Sequence, residues 1–254
     1  MRFKNTIVRR PTPSLVNGIT TANLGIPDYD LACDQHEAYI DALRQCGVQV
    51  SIMDGDDRYP DACFIEDTAL CTPSCAIIMK LGAKSRKGEQ LEVKEVLQGF
   101  YDVIYELDEG NTAEAGDIMM VGDHYYIGLS DRTNLSGAEQ IIGFLKHHGM
   151  NGSVVEMKEF LHLKTGLSYL ENDFLCITGE FVSNPIFDSF NKLVIDHSEE
   201  YSANCIWVND KVIVPSGYLK SRALIQSHGF ETIEVDVSEF RKLDGGLSCL
   251  SLRF

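Results

Sequence analysis

Five interruptions spaced along the chain constrain its fold more than any single motif does. Gly47, Gly99, Gly149, Asn191 and Gly229 each close a helix-like segment and open an apolar extended run, and they stand 52, 50, 42 and 38 residues apart. Glycine, and less often asparagine, tolerates the left-handed conformation that stops a helix. The pattern therefore reads as helix, stop and strand, five times over. Strands after the stops are expected at 48–53, 102–107, 153–157, 193–196 and 231–236. Extended runs of a second kind follow at 64–70, at 117–121 with 125–127, at 167–170 with 174–177, at 205–208 with 212–214, and at 247–254. Asn209-Asp210 supplies a tight hairpin turn between one such pair. A strand at 3–8 precedes the first helix, which Asp28 or Asp30 caps and which ends at Cys46.

The unit is two strands, a helix and a further strand. Two copies match almost letter for letter, Gly166-Leu-Ser-Tyr-Leu170 and Gly246-Leu-Ser-Cys-Leu250. Units that cannot bury both faces alone pack on one another, and five around an axis make a closed α/β propeller of ββαβ units with five-fold pseudosymmetry. No linker or low-complexity segment interrupts it, so residues 1–254 are expected to form a single α/β propeller domain.

The formal charge of -16 opposes binding to nucleic acid or to an anionic membrane and attracts small cations. No apolar run is long enough to span a bilayer, and the first residues, MRFKNTIVRRPTPS, lack the apolar core of an export signal. The eight cysteines include no Cys-x-x-Cys pair and read as reduced thiols of a cytoplasmic protein. Cys71 and Cys75 flank a turn with no histidine nearby, so no metal is expected there.

Polar residues able to do chemistry recur in the same phase of the repeat. The first unit carries Asp61, Glu66 and Asp67, the second Glu114, the third His162, the fourth Asn204 and the fifth Cys249. In a ring these positions converge on the hub, where nucleophile, acid/base and orienting groups can meet. If 247–254 is one strand, Cys249 shares the more polar face with Leu247, Ser251 and Arg253, which is not where a space-filling thiol belongs. Glu66 and Asp67, being adjacent, point apart in a regular strand and share a ligand only if that strand is bulged. Arg86 and Arg132 are loop cations suited to surface ion pairs or to gripping a carboxylate.

In a likeness that runs essentially end to end, the stretches FIEDTALC, EAGDIMMVGDHYYIGLSDRTN, LHLKTGLSYLE, SANCIWVN and DGGLSCLSLRF resemble motifs of the dimethylarginine dimethylaminohydrolases among the guanidine-modifying enzymes, and of a bacterial member in particular. The resemblance implies the pentein form of the five-fold propeller. It also implies hydrolysis of Nω-methylated arginine to citrulline and a methylamine, with Cys249 as nucleophile, His162 as acid/base and Glu114 as its partner. It implies Ile19, Asp61, Glu66, Asp67, Arg86, Arg132 and Leu243 as substrate contacts, a small cationic substrate, and neither cofactor nor metal. Arginine deiminase, which releases ammonia instead, is the nearest alternative, although its expected helical insert is not visible. A non-catalytic binding module of the same architecture is another. The outer strands of such a ring could pair two chains as a homodimer, and the Pro/Gly-rich segment 11–27 is the expected lid.

Overall fold

The computed structural model of the protein describes residues 2–254. Its strands form five separate three-stranded sheets. β1 (Asn5–Arg9) pairs parallel with β2 (Gln49–Met53) across the first helix, α1 (Tyr29–Gln45). β3 (Ala69–Cys71), β4 (Ala76–Ile78) and β5 (Ile104–Glu106) make the next sheet, with α2 (Glu89–Leu97) between its last two strands. β6 (Ile118–Val121), β7 (His124–Leu129) and β8 (Asn151–Glu156) follow around α3 (Leu135–His147). β9 (Leu167–Tyr169), β10 (Phe174–Ile177) and β11 (Asn191–Val194) form the fourth sheet. β12 (Ile206–Val208), β13 (Lys211–Pro215) and β14 (Glu231–Val235) form the fifth, around the helix Leu219–Ser227. Finally β15 (Leu252–Arg253) returns antiparallel to β1, with Ile7 opposite Leu252, so both ends of the chain share one sheet and the ring closes. Every sheet thus has an antiparallel inner strand, a middle strand and a parallel outer strand reached by a crossover. This is the five-fold α/β propeller expected from the repeat.

Local chemistry accounts for the elements. Asp28 caps α1 by accepting from the backbone N–H of Leu31 at 3.0 Å. The helix buries Ala32, Tyr39, Ile40 and Leu43, spaced to cover one face, and Gly47 closes it at φ +76°. Asn209 and Asp210 both take positive φ, as the hairpin between β12 and β13 requires. The core fills the wedges between sheets. One wedge packs Ile7 and Leu252 of the closing sheet against Ile65, Ala69 and Ile78 of the next.

Three expectations need correction. Residues 64–70 do not form one strand, because Ile65–Thr68 is a 3₁₀ turn that feeds β3. The C-terminal stretch is likewise a turn, Ser248–Leu250, followed by the short β15, so the strand-face reading of Cys249 does not apply. The fourth unit has only 3₁₀ turns, Gly179–Phe181 and Pro185–Phe187, where a helix end was expected. Pro185, with Gly179 and Asn184 before it, denies that segment an α-helical interior. Asn191 is itself the first residue of β11.

Candidate active site

A short helical segment precedes every inner strand: single turns at Ile65–Thr68, Ala115–Asp117, Leu163–Gly166 and Ser248–Leu250, and two 3₁₀ turns kinked at Glu199 over His197–Ala203. The residues found in phase along the sequence sit at these turns, except Asp61, which precedes the first. Glu66 and Asp67 lie inside the first, Glu114 and His162 are the N-caps of the second and third, Asn204 is the C-cap of the fourth, and Cys249 lies inside the fifth. Five equivalent turns around one axis aim these side chains at the hub.

The turn at Ile65–Thr68 also settles how two adjacent carboxylates behave. Neighbouring residues of a 3₁₀ turn diverge by roughly a third of a revolution, so Asp67 and Glu66 face different spaces. Asp67 faces a cavity of about 520 Å³, its open mouth included, that is also lined by Ile19, Asp61, Arg86, Glu114, Arg132, His162, Leu243 and Cys249. Every residue expected at the site lines this cavity except Glu66. Glu66 instead faces a second cavity along the axis on the other side, where its Oε1 accepts from Lys164 at 2.6 Å and from Arg253 at 2.9 Å. Its Oε2 is buried without a hydrogen-bond partner among the described residues.

His162 Nε2 lies 2.8 Å from Glu114 Oε2. The other Glu114 oxygen accepts from the N–H of Gly82 at 3.0 Å, and Arg132 Nη1 stands 3.7 Å from it. Asp117, fully buried, holds the histidine segment. One of its oxygens accepts from the N–H of Leu163, and the other accepts from the hydroxyls of Ser130 and Thr133, each at 2.6 Å. Gly116 makes the close approach possible. A Cβ there would lie 2.8 Å from both Asp67 Oδ1 and His162 Nδ1, and its N–H donates to that same Asp67 oxygen at 3.1 Å. Gly116 and Asp117 were not singled out from the sequence. Their signal was the Gly-Asp pair directly after Glu114-Ala115.

Charges in this confined space shift one another. Burial opposes a charged His162, but Asp67, the hydrogen bond to Glu114, and Asp117 outweigh it and raise the imidazole to about 9. It is an imidazolium at neutral pH. Burial opposes the Asp67 charge too, and His162 with Arg86 overcomes that, holding the carboxyl below its ordinary value. Cys249 goes the other way. Burial first, then Glu66 and Asp67, push its thiol up to about 12, against a weak counter-pull from the Gly246 N–H 3.4 Å from the sulfur.

The two arginines differ. Arg86 is buried and spends its donors on Asp67 at 2.6 Å, on both oxygens of Glu89 and on the Phe64 carbonyl. Among the described residues Arg132 keeps only the long Glu114 contact as an ion pair, and it is more exposed. One atom each of Asp67, Glu114 and His162 lies within 4.8 Å of the others, the kind of set that can hold a divalent ion. Here Arg86 and the histidine proton already neutralise those carboxylates. Asp61 accepts from the N–H of Ile19 at 3.0 Å and Asp244 accepts from the N–H of Thr21 at 2.6 Å, so these two residues of the segment 11–27 are held where they line the cavity.

Comparison with known proteins gives a consistent picture. A family model described as N,N dimethylarginine dimethylhydrolase, eukaryotic, matches residues 28–251. The N(G),N(G)-dimethylarginine dimethylaminohydrolase of Pseudomonas aeruginosa is 53% identical, over 99% of this chain and 100% of its own. A solved structure of a cysteine-to-serine mutant of the dimethylarginine dimethylaminohydrolase from Pseudomonas aeruginosa, complexed with citrulline, superposes with a TM-score of 0.99 at 52% identity, covering all of both chains. The N-terminal domain of a cyanobacterial arginine dihydrolase superposes with a TM-score of 0.90, covering 100% of this chain and 97% of its own, but at 19% identity it shares the fold alone.

Proposed function

The chain belongs to the dimethylarginine dimethylaminohydrolase family, and from that premise we propose that its Cys249, His162 and Glu114 hydrolyse Nω-methylated arginine to citrulline and a methylamine. The observation that carries the assignment of these residues is their meeting in one cavity with Asp67, where His162 is already charged and paired with Glu114.

A guanidinium is a delocalised cation that resists attack at its central carbon. Asp67 accepts from its N–H groups, taking it out of water and fixing that carbon against the sulfur. The unpartnered Oε2 of Glu66 is a second acceptor close behind, although Glu66 does not line the same cavity. Arrival of a cation offsets the carboxylates that suppress the thiolate, so Cys249 gives up its proton to solvent as the substrate binds. The sulfur adds to the guanidinium carbon. His162 passes its proton to the methylated nitrogen, whose bond to that carbon breaks, and the methylamine leaves a thiouronium on Cys249. Neutral His162 then takes a proton from water as the water oxygen adds to the same carbon. The adduct's hydroxyl then loses its proton to solvent as the carbon–sulfur bond breaks, which releases the neutral ureido group of citrulline and restores the thiolate. Glu114 keeps the imidazole oriented throughout and favours its charged form. Arg132, with donors to spare, takes the substrate carboxylate, and Asp61 takes its ammonium. Ile19 and Leu243 pack on the methylene stem.

No helix among the described residues is long and apolar enough to cross a membrane, and we take the chain to act in the cytoplasm as one catalytic domain.

The test is to assay citrulline from asymmetric dimethylarginine, monomethylarginine and arginine side by side, with wild type and Cys249→Ser. Methylated substrates turning over faster than arginine, with Cys249→Ser folded and inactive, is the expected result. Preference for arginine would make the enzyme a deiminase, and a fully active serine variant would remove Cys249 from the chemistry.

A further inference from the structure

Asn204 occupies the fourth unit's place among the convergent turns, and the mechanism above leaves it unused. It is buried, and its amide is fully employed. Oδ1 accepts from the N–H of Ser248 at 3.0 Å, while Nδ2 donates to the Lys164 carbonyl at 3.0 Å and to Ser248 Oγ at 3.1 Å. Those partners admit one orientation only. Flipping the amide would set its NH₂ against an N–H donor and its oxygen against a carbonyl. The Asn204 side chain also lies flat on Gly246, where a Cβ would come within 2.6 Å of its Cγ. One side chain therefore joins the turn that carries Cys249 to the segment that carries His162, two units of the ring apart in sequence.

The hydrogen-bond directions matter as much as the anchoring. Because Ser248 Oγ accepts from Asn204, its own proton is free for another acceptor, and Cys249 Sγ lies 4.0 Å away, within reach of a weak sulfur contact. At that distance either atom can donate; with the Ser248 proton turned toward it, the sulfur faces two donors, the Ser248 hydroxyl and the Gly246 N–H. Around it lie the charges of Glu66, Asp67 and Lys164 and the Tyr201 phenol.

We propose that Asn204 is a positioning residue for the nucleophile, locking the Cys249 turn to the His162 segment and turning the Ser248 hydroxyl proton toward the sulfur. This rests on Cys249 being the nucleophile. Losing the lock displaces sulfur and imidazole relative to each other, and a misplacement of about 1 Å costs on the order of 100-fold in rate.

The test combines steady-state kinetics on dimethylarginine with site-resolved iodoacetamide labelling of Cys249 across pH. Asn204→Ala and the near-isosteric Asn204→Asp are each expected to lower kcat by about 100-fold while KM moves by less than about threefold, and to slow labelling of Cys249 with no rise at buried Cys205. Loosening of the whole fold would do the reverse at Cys205. Ser248→Ala should slow Cys249 labelling, and adding it to Asn204→Ala should slow labelling no further, since the two act through one contact. If Asn204→Ala does not fold, Asn204→Asp decides. Folded Asn204 variants with wild-type kcat and wild-type labelling overturn the proposal, and additive losses in the double variant overturn the role of Ser248. Turnover retained by Cys249→Ser would instead sink the nucleophile assignment. An inactive Cys249→Ser beside unaffected Asn204 variants sinks this inference alone.

Discussion

His162 Nε2 and Glu114 Oε2 lie 2.8 Å apart, each on the residue that caps a one-turn helix, one in the third unit of the ring and one in the second. Two unrelated stretches of chain thus deliver an acid and its counter-charge to the same point. The backbone that delivers them is held by buried bonds of its own, among them Leu163 N–H to Asp117.

That pairing sets where the proton sits during turnover. Removing the Glu114 charge leaves burial less opposed, so the imidazole in Glu114→Gln should titrate below its present value of about 9. Its kcat is expected to fall by about 100-fold, and the alkaline limb of its pH–rate profile to move toward neutrality. Citrulline formation measured from pH 6 to 10 checks this. A limb that stays where wild type has it would mean that Glu114 does not hold the proton.

The Cys249 thiol, raised to about 12 by burial and then by Glu66 and Asp67, should be a poor nucleophile in the empty enzyme. Alkylation at pH 7 is expected to be slow and to speed up when a small non-reacting guanidinium fills the cavity. Asp67→Asn should speed alkylation of the empty enzyme and weaken the response to the guanidinium. Labelling followed by intact-mass spectrometry decides, and fast, ligand-indifferent alkylation in wild type would contradict the proposed activation.

The ring was legible in the sequence because a glycine or asparagine stop recurs at nearly regular intervals, and stops such as Gly47, Gly149 and Gly229 do take positive φ. The shared phase of Asp67, Glu114, His162 and Cys249 was legible for the same reason. The form of the backbone that carries them was not. Runs such as Phe64 to Leu70 have strand-like composition, and only tertiary packing curls Ile65–Thr68 and Ser248–Leu250 into turns. Alternation therefore assigned the wrong faces around Cys249, and although it did point Glu66 and Asp67 apart, it did so on a strand where the structure has a 3₁₀ turn. The commitment of Arg86 to Glu89 and Asp67 is a long-range fact of the same kind.

Arg86 and Arg132 should part company under mutation. Arg132→Ala removes a partly exposed fork that, in the proposed binding mode, substrate and transition state use alike, so KM is expected to rise by about tenfold or more with kcat little changed. Arg86→Ala strands the buried carboxylates of Asp67 and Glu89, and breaking a buried pair in this way costs about 3–5 kcal/mol of stability. Urea titration beside steady-state kinetics separates the two. A stable Arg86→Ala enzyme with only a raised KM would show that Arg86 serves substrate directly.

His36 predicts how the fold meets acid. It lies on α1 near Phe240, 1% exposed, and neither ring nitrogen has a hydrogen-bond partner among the described residues. Burial, aided by Arg10 and opposed by Glu37, lowers its pKa from 6.5 to about 4. The unfolded chain therefore binds a proton between those values that the folded chain refuses, and stability rises with pH across that window. Above about 6.5 the histidine costs nothing in this respect. As pH falls through 6.5 stability drains away until the folded group itself titrates near 4, a total on the order of 3 kcal/mol. Carboxylates add their own acid sensitivity, so the telling quantity is the difference between wild type and His36→Leu. The leucine variant should match or exceed the wild-type Tm at pH 7.5, since it buries no unpaired nitrogen. Its advantage should grow as the pH is lowered from 6.5 to 4. Thermal melts that give a pH-independent difference would mean that the folded protein finds His36 a partner or lets water reach it.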